Sequence, residues 1–442
     1  MNCSNAEDVL RKVKELGVGF IQFWFTDVLG VLKSFSITPS ELEEGLYEGM
    51  GFDGSSIEGF ARIEESDLVA KPDPTTFQLL PWQDAGVPVA RMFCDILTPD
   101  GKPYVGDPRY VLKRVLKRAS DMGFTWYAGP ELEFFYFRSR GCAETLDEGG
   151  YFDGLPIDIG DPLRRKTVLA LQKLGIRVEY DHHEVAPSQH EIDLRYQEGL
   201  KMADTVMTYR MVVKEVARRE GYYATFMPKP IVGVNGSGMH THQSLFRGDV
   251  NAFWDPSDEY HLSDVAKHYT AGILRHAREI TLINNQWVNS YKRLVPGYEA
   301  PVYISWARRN RSAMIRVPMY KPTKEKATRI EFRAPDPACN PYLAFAVQLA
   351  AGLEGIDKKY PLPDPVEEDI FEMSPQERAR RGIQELPGNL YAAILETEKS
   401  ELVKNALGEH IFWKFLENKR IEWDSYRVHV SRYEIERYLP VL

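Results

Sequence analysis

Excess positive charge, paired cysteines and long apolar runs are all missing from this chain of 442 residues. The formal net charge is −9. That argues against a nucleic-acid binder and leaves small anionic substrates open, because local fields decide those. The cysteines are Cys3, Cys94, Cys142 and Cys339, and none forms a C-x-x-C pair. A disulfide or zinc framework is therefore not expected, and a reducing cytoplasm is the expected compartment. No apolar stretch approaches the roughly 18 residues of a membrane-spanning helix. No basic start precedes an apolar segment, so no signal peptide is expected. What remains is an ordinary globular composition, 43% hydrophobic and 27% charged, at a length that suits two domains.

Apolar spacing predicts a first amphipathic helix over Asp8 to Leu16. Alternation over Phe20–Thr26 and Val31–Ile37, around a turn at Asp27–Gly30, predicts a hairpin. Thr38-Pro39-Ser40-Glu41 reads as a capping box opening a helix. Four glycines and two serines make residues 49–59 a loop. Val87–Leu97 is a strand, and the Asp100–Pro103 turn is the expected boundary between domains 1–103 and 104–442. In the larger domain, helices are expected over 108–122, 163–174, 199–220, 265–276 and 341–355. Strands lie between them without a regular βαβ rhythm, so the fold class is α+β with a largely antiparallel sheet. Pro361–Gly388 reads as an extended surface loop, and the remainder as helical, ending near Ser431–Leu439.

Carboxylates and imidazoles sit in short strand-like segments. Glu131 and Glu133 lie in G-P-E-L-E-F-F-Y-F, where alternation puts them on one face with Phe135 and Phe137. Glu184 and Glu191 lie in H-H-E-V-A-P-S-Q-H-E-I-D, His240 and His242 in N-G-S-G-M-H-T-H, and Glu331 in R-I-E-F-R. Each segment alone is compatible with a salt-bridged strand face. Carboxylates held against aromatic surface need positive charge nearby. Hard oxygen ligands with an imidazole suit Mg²⁺ or Mn²⁺, so together these segments read as a two-metal site that handles phosphate. Arg329, Glu331 and Arg333 alternate onto one face, and Arg308, Arg309, Arg311 and Arg316 follow one another closely. In an acidic chain such guanidiniums read as an anion clamp. Asn289–Val302 reads as a loop that covers a site.

The chain resembles prokaryotic type I glutamine synthetases over essentially its full length. The matching blocks are G-F-D-G-S-S-I-E-G-F from Gly51, the E-x-E strand, N-G-S-G-M-H-T-H, K-R-L-V-P-G-Y-E-A-P, R-N-R-S-A-M-I-R and K-A-T-R-I-E-F-R-A-P-D-P-A-C-N-P-Y-L. The resemblance implies a small N-terminal β-grasp-like domain and a large catalytic domain with a curved, largely antiparallel sheet. It implies ATP-dependent joining of ammonia to L-glutamate through γ-glutamyl phosphate, with two or more Mg²⁺ or Mn²⁺ per subunit. On that resemblance Glu133, Glu184 and Glu191 hold one ion, and Glu131, His240 and Glu331 the other. Asn235, Gly236, Arg293, Arg311 and Arg333 fall at glutamate or phosphoryl positions. Glu179, His242, Ser244, Arg311, Arg316, Lys326 and Arg329 fall at nucleotide positions. Asp53 and the flap residue Glu299 fall at the ammonium site, with Arg311 a third catalytic position.

The resemblance also implies a homododecamer of two six-membered rings with active sites between subunits, regulatory protein partners, and neither nucleic acid nor membrane. Phe371 stands where some relatives carry an adenylylated tyrosine, which leaves no hydroxyl to modify. Arg62 resembles the arginine of a subgroup inhibited by glutamine. Its alternative is an ion pair with Glu64 or Glu65. Two other functions stay open at this point: a γ-glutamyl ligase for a larger amine, and a non-catalytic structural or sensing relative.

Overall fold

The structure, a computed structural model, describes residues 3–59, 66–84, 86–319 and 324–442. Seventeen strands are described. The N-terminal part carries β1 (Phe20–Thr26), β2 (Leu32–Ile37), β3 (Met50–Asp53), β4 (Asp67–Pro72), β5 (Gln78–Asp84) and β6 (Val87–Leu97). They form one sheet in the order β2-β1-β6-β4-β3, with β5 on β6. β1 and β6 are parallel and the other pairs antiparallel. The hairpin turn closes on Asp27, whose carboxylate accepts from the Leu29 and Val31 amides at 3.0 and 2.9 Å, the local bonding that favours aspartate in turns.

The second sheet contains β7 (Thr125–Ser139), β8 (Cys142–Thr145), β9 (Val178–His183), β10 (Gln189–Leu194), β11 (Gln197–Glu198), β12 (Tyr223–Thr225), β13 (Met239–Arg247), β14 (Val250–Asn251), β15 (Trp306–Ala307), β16 (Ile315–Arg316) and β17 (Ile330–Phe332). Its main path is β15-β16-β17-β13-β7-β10-β9. Every pair but β15–β16 is antiparallel, as the sequence pattern predicts. Long helices, among them Gly199–Arg219, Asp264–Asn284 and Pro341–Lys358, join the apolar side of this sheet in one core. The last two touch backbone to backbone at Gly272, where a Cβ would lie 2.1 Å from the Ala351 oxygen. The two sheets are tied by Arg109, which reaches Asp73 and Asp95 at 2.8 and 2.6 Å on one side and Asp204 at 3.0 Å on the other. Asn340 adds a second tie, donating its amide to the Asp27 and Val28 oxygens.

Four local expectations change. Thr38 makes no capping bond, and Pro39–Glu41 is a single 3₁₀ turn before the helix Leu42–Tyr47. Residues Met50–Asp53 are not loop but the edge strand β3, because β4 offers a partner that local glycine content cannot reveal. The helix expected over 265–276 continues to Asn284, whose last turns are buried. Residues 361–388 are not merely extended: Val366, Ile370, Met373 and Leu386 are buried in the main core, and Pro375–Arg380 is helical.

Candidate active site

β7 changes partner between its two glutamates. Up to Leu132 it pairs with β13, so Glu131 stands directly opposite His240. From Glu133 it pairs with β10, so Glu133 stands opposite Glu191. The register continues outward, with His182 of β9 opposite Glu191, Glu331 of β17 opposite His242, and Arg316 of β16 opposite Glu331. Directly opposed residues share a sheet face with their Cβ atoms about 4.5–5.5 Å apart. One row of acids, imidazoles and guanidiniums therefore crosses six strands.

Within this row, ligand atoms of Glu131, His242 and Glu331 lie within 4.8 Å of one another, as do those of His182, Glu184 and Glu191. Hydrogen bonding separates ligands from supports. Arg329 can only donate, and its Nε lies 3.0 Å from His242 Nδ1, which makes Nδ1 the acceptor. Nε2 then carries the proton and donates to Glu131 at 2.7 Å. His242 has no lone pair left and orients Glu131. His240 is different: its Nδ1 lies 3.4 Å from Glu131 and 3.8 Å from Glu331, and its Nε2 3.9 Å from Glu133. Burial pushes its pKa down to about 4, so it is a neutral imidazole among three carboxylates.

The carboxylates divide by neighbourhood. Burial raises Glu133 to about 7 against the pull of Arg293, although Gln189 Nε2 and the Gly238 amide donate to it at 2.8 and 3.1 Å. Burial and then Glu133 raise Glu184 to about 9. Burial and then Asp193 push Glu191 well up. At Glu331 burial works upward too, but the cationic groups around it outweigh burial and hold the group at about 2. Arg333 contacts it at 2.6 Å, and Arg316 closes on its other oxygen. The Glu133–Glu184–Glu191 group is thus an uncompensated anionic pocket, and a divalent ion would supply what it lacks. The donors present, carboxylates with one neutral imidazole, fit Mg²⁺ or Mn²⁺.

Beside the row opens a cleft of about 900 Å³ lined by Glu131, Glu179, Tyr180, Asp193, Arg195, His242, Ser244, Lys326 and Arg329, among others. Five of the expected nucleotide residues, Glu179, His242, Ser244, Lys326 and Arg329, share this one cavity. On the other side, Asn235 donates to Glu299 at 3.2 Å, which joins the glycine-rich loop to the covering loop. Glu299 takes a positive φ of 53°, a strained conformation for a residue with a Cβ. Gly236 packs so closely that a Cβ there would lie 2.3 Å from the Pro228 oxygen.

Several expected residues stand apart. Asp53 is exposed on edge strand β3, where its carboxylate accepts from the Ser55 amide at 2.8 Å. No contact links it to the row among the described residues. Arg293 is buried and donates to the Ala334, Pro335 and Arg333 oxygens, three of its five donors. Arg311 is exposed, and its charge acts on Tyr151. Arg329 does not flank Glu331 as alternation suggests but reaches His242. Arg62 lies outside the described residues. Sequence reasoning gave no role to Gln189, His182 or Asp193, all on the strand faces that carry Glu184 and Glu191.

Asp147, Asp158, His183 and His190 also cluster, behind the row. Their bonds are internal. Arg164 pairs with Asp158 at 2.7 Å and donates to His190 Nδ1 at 2.9 Å, while His183 lies 2.9 Å from Asp147 and 2.6 Å from the Glu184 oxygen. This is a support for the Glu184 backbone.

Comparison with known proteins agrees with the geometry. Residues 17–99 match the family described as glutamine synthetase, beta-Grasp domain, and residues 105–438 the family described as glutamine synthetase, catalytic domain. A glutamine synthetase of Mycolicibacterium smegmatis is 56% identical over 98% of this chain and 99% of its own length. One of Methanosarcina mazei is 53% identical over 100% and 99%. One of Thermotoga maritima is 52% identical over 98% and 99%. Among solved structures, a GmaS/ADP complex has a TM-score of 0.90 at 30% identity, covering 100% of both chains. A Plasmodium falciparum glutamine synthetase has a TM-score of 0.89 at 26% identity, covering 99% of both.

Proposed function

The chain belongs to the glutamine synthetase family and is an ATP-dependent ligase that forms glutamine, and from that premise we propose how its residues divide the work. The observation that carries the proposal is the row of cross-strand partners from Arg316 to His182, with the nucleotide-type cleft beside it.

A carboxylate is a poor electrophile because oxide would have to leave. In the first step a γ-carboxylate oxygen of glutamate bonds to the γ-phosphorus of ATP, and the bond from that phosphorus to the bridging oxygen breaks, releasing ADP. In the second, ammonia attacks the acyl carbon and phosphate leaves. Divalent ions, when bound, neutralise the phosphates and the carboxylate and hold them in line. Glu133, Glu184 and Glu191 would hold one, and Glu131, His240 and Glu331 the other. His242 and Arg329 keep Glu131 turned inward, and Gln189 and the Gly238 amide do the same for Glu133. Glu179, Ser244, Lys326 and Arg329 line the nucleotide side, with Arg316 and Arg311 toward the phosphates. Asn235 and Gly236 receive the amino-acid end of glutamate, and Arg333 and Arg293 supply positive charge around its γ-carboxylate.

Only neutral ammonia attacks, so ammonium must give up a proton, and Asp53 and Glu299 are the acceptors in this reading. Asp53 lies on an exposed edge away from its own row, so a neighbouring subunit supplies it. That requires an oligomer, and we propose the homododecamer of two rings, working in the cytoplasm. The domain division at 103/104 falls between the two family matches. Phe371 packs on Tyr303 with ring centroids 5.8 Å apart and offers no hydroxyl, so control passes to ligands or partner proteins. Arg62 is the proposed site of glutamine feedback, and an Arg62→Ala inhibition curve that superimposes on the wild type removes that role. The reading as a whole is tested by phosphate release with glutamate, ATP and Mg²⁺. Ammonium should support turnover and ethylamine should not. Turnover with ethylamine alone would make the protein a ligase of larger amines.

A further inference from the structure

The tip of the covering loop, residues 296–299, carries backbone strain. Gly297 takes a φ of 92° and Glu299 one of 53°. A residue with a Cβ keeps such a φ only where its surroundings hold it. Among the described residues two side-chain contacts tie this tip to the glycine-rich loop. One is the exposed bond from Asn235 to Glu299. The other is made by Lys229, whose ammonium lies 3.8 Å from the centre of the Tyr298 ring and donates to the Val234 oxygen. The negative face of an aromatic ring attracts a cation. Burial, and then the charge of Arg293, lowers the Lys229 pKa, and a partly desolvated ammonium gains more from a ring than an exposed one does.

Lys229 is itself anchored. Its amide donates to Asn289 Oδ1 at 2.7 Å, and its oxygen accepts from Asn289 Nδ2 at 3.0 Å. Its stem runs along Gly236, where a Cβ would lie 3.2 Å from Lys229 Cδ. Val234, which takes the ammonium's hydrogen bond, packs on the cluster of Phe135, Phe137 and Ala186. Phe135 and Phe137 follow Glu133 along β7 on one face. Gln189 closes the chain of contacts, donating to Glu133 at 2.8 Å and to the Gly236 oxygen at 3.2 Å. Packed side chains therefore connect Tyr298, through Lys229, to the strand that carries Glu133.

We propose that Lys229 is a positioning residue of the ligase reaction: by holding the Tyr298 ring it latches the covering loop over the acyl phosphate, so that ammonia and not water attacks. The proposal rests on the function reading above. If water attacks, its oxygen bonds to the acyl carbon, the bond from that carbon to the phosphate oxygen breaks, and glutamate returns. ATP is then hydrolysed to ADP and phosphate with no glutamine formed. Phosphate released per glutamine therefore reads the latch. Lys229 does not line the nucleotide cleft, so ATP binding should not depend on it.

The experiment measures phosphate and glutamine together in the intact protein, at the ammonium concentration that half-saturates the wild type. The wild type should release one phosphate per glutamine. Lys229→Met keeps the stem and removes the charge and the donor, and Tyr298→Leu removes the ring. Each should raise the ratio about threefold or more, as loss of a cation–ring contact implies, with ATP affinity unchanged. Lys229→Arg and Tyr298→Phe, which keep cation and ring, should stay near one. The Lys229→Met, Tyr298→Leu double variant should be no worse than the worse single, because both remove the same contact. A ratio of one in both Lys229→Met and Tyr298→Leu would overturn the proposal. So would a raised ratio in Lys229→Met with a ratio of one in Tyr298→Leu, or lower kcat and weaker ATP binding at an unchanged ratio. Should Lys229→Met not fold, Tyr298→Leu decides alone. A wild type that forms no glutamine would overturn the function reading itself, whereas fully coupled variants of an active wild type would overturn only the latch.

Discussion

Glu133 is held by a glutamine amide and a backbone amide, opposite Glu191 and next to Glu184. Glu133→Gln keeps the shape and removes one negative charge from the proposed centre. Turnover at saturating Mg²⁺ should fall at least a hundredfold, about 2.7 kcal/mol at roughly 1.4 kcal/mol per tenfold. Steady-state kinetics giving near wild-type kcat would remove Glu133 from the centre. Much of this site was legible residue by residue. Alternation along G-P-E-L-E-F-F-Y-F puts both glutamates on one face, and N-G-S-G-M-H-T-H puts His240 and His242 on one face. Which of two imidazoles keeps a free lone pair was not legible. It depends on Arg329 reaching His242 rather than Glu331, a contact across 87 residues of chain.

Elements show the same division. The hairpin, β6 and the helix Pro341–Lys358 follow from local pattern, because alternation, turn residues and a proline at the helix start act within a few residues. β3 and the packed segment after Pro361 depend on distant partners and escaped that reading. The C-terminal segment is the element with an unmet need. Val428, Val430, Tyr433, Ile435, Tyr438, Leu439, Val441 and Leu442 are all exposed. Apolar surface of that extent marks an interaction site. Two residues before it, Tyr426 lines a groove of about 1140 Å³ walled by Trp24, Trp82, Met207, Phe226 and Trp287. In the proposed dodecamer the tail of one ring docks on the other. Deleting residues 429–442 should shift the particle from twelve subunits toward six by light scattering, with ATP binding retained. An unchanged dodecamer would contradict this role.

At the scale of the whole molecule, two sheets do different jobs and Arg109 and Asn340 hold them in one arrangement. The catalytic sheet carries the acid row, and the N-terminal sheet presents Asp53 on an open edge. If neighbours exchange that edge, two inactive variants can rescue each other. Asp53→Ala and Glu133→Gln subunits, dissociated, mixed equally and reassembled, should form about one intact site in four by random cyclic assembly. Activity should return in the mixture and in neither parent. No recovery in verified mixed particles would place Asp53 outside a shared site. The central claim is that this row activates glutamate by phosphorylation before ammonia attacks. Its most direct test supplies glutamate labelled with ¹⁸O in the γ-carboxylate, together with ATP, Mg²⁺ and ammonium, and measures the released phosphate by mass spectrometry. The account predicts one ¹⁸O atom per phosphate for every glutamine formed. Phosphate carrying only ¹⁶O, alongside glutamine formation, would contradict it.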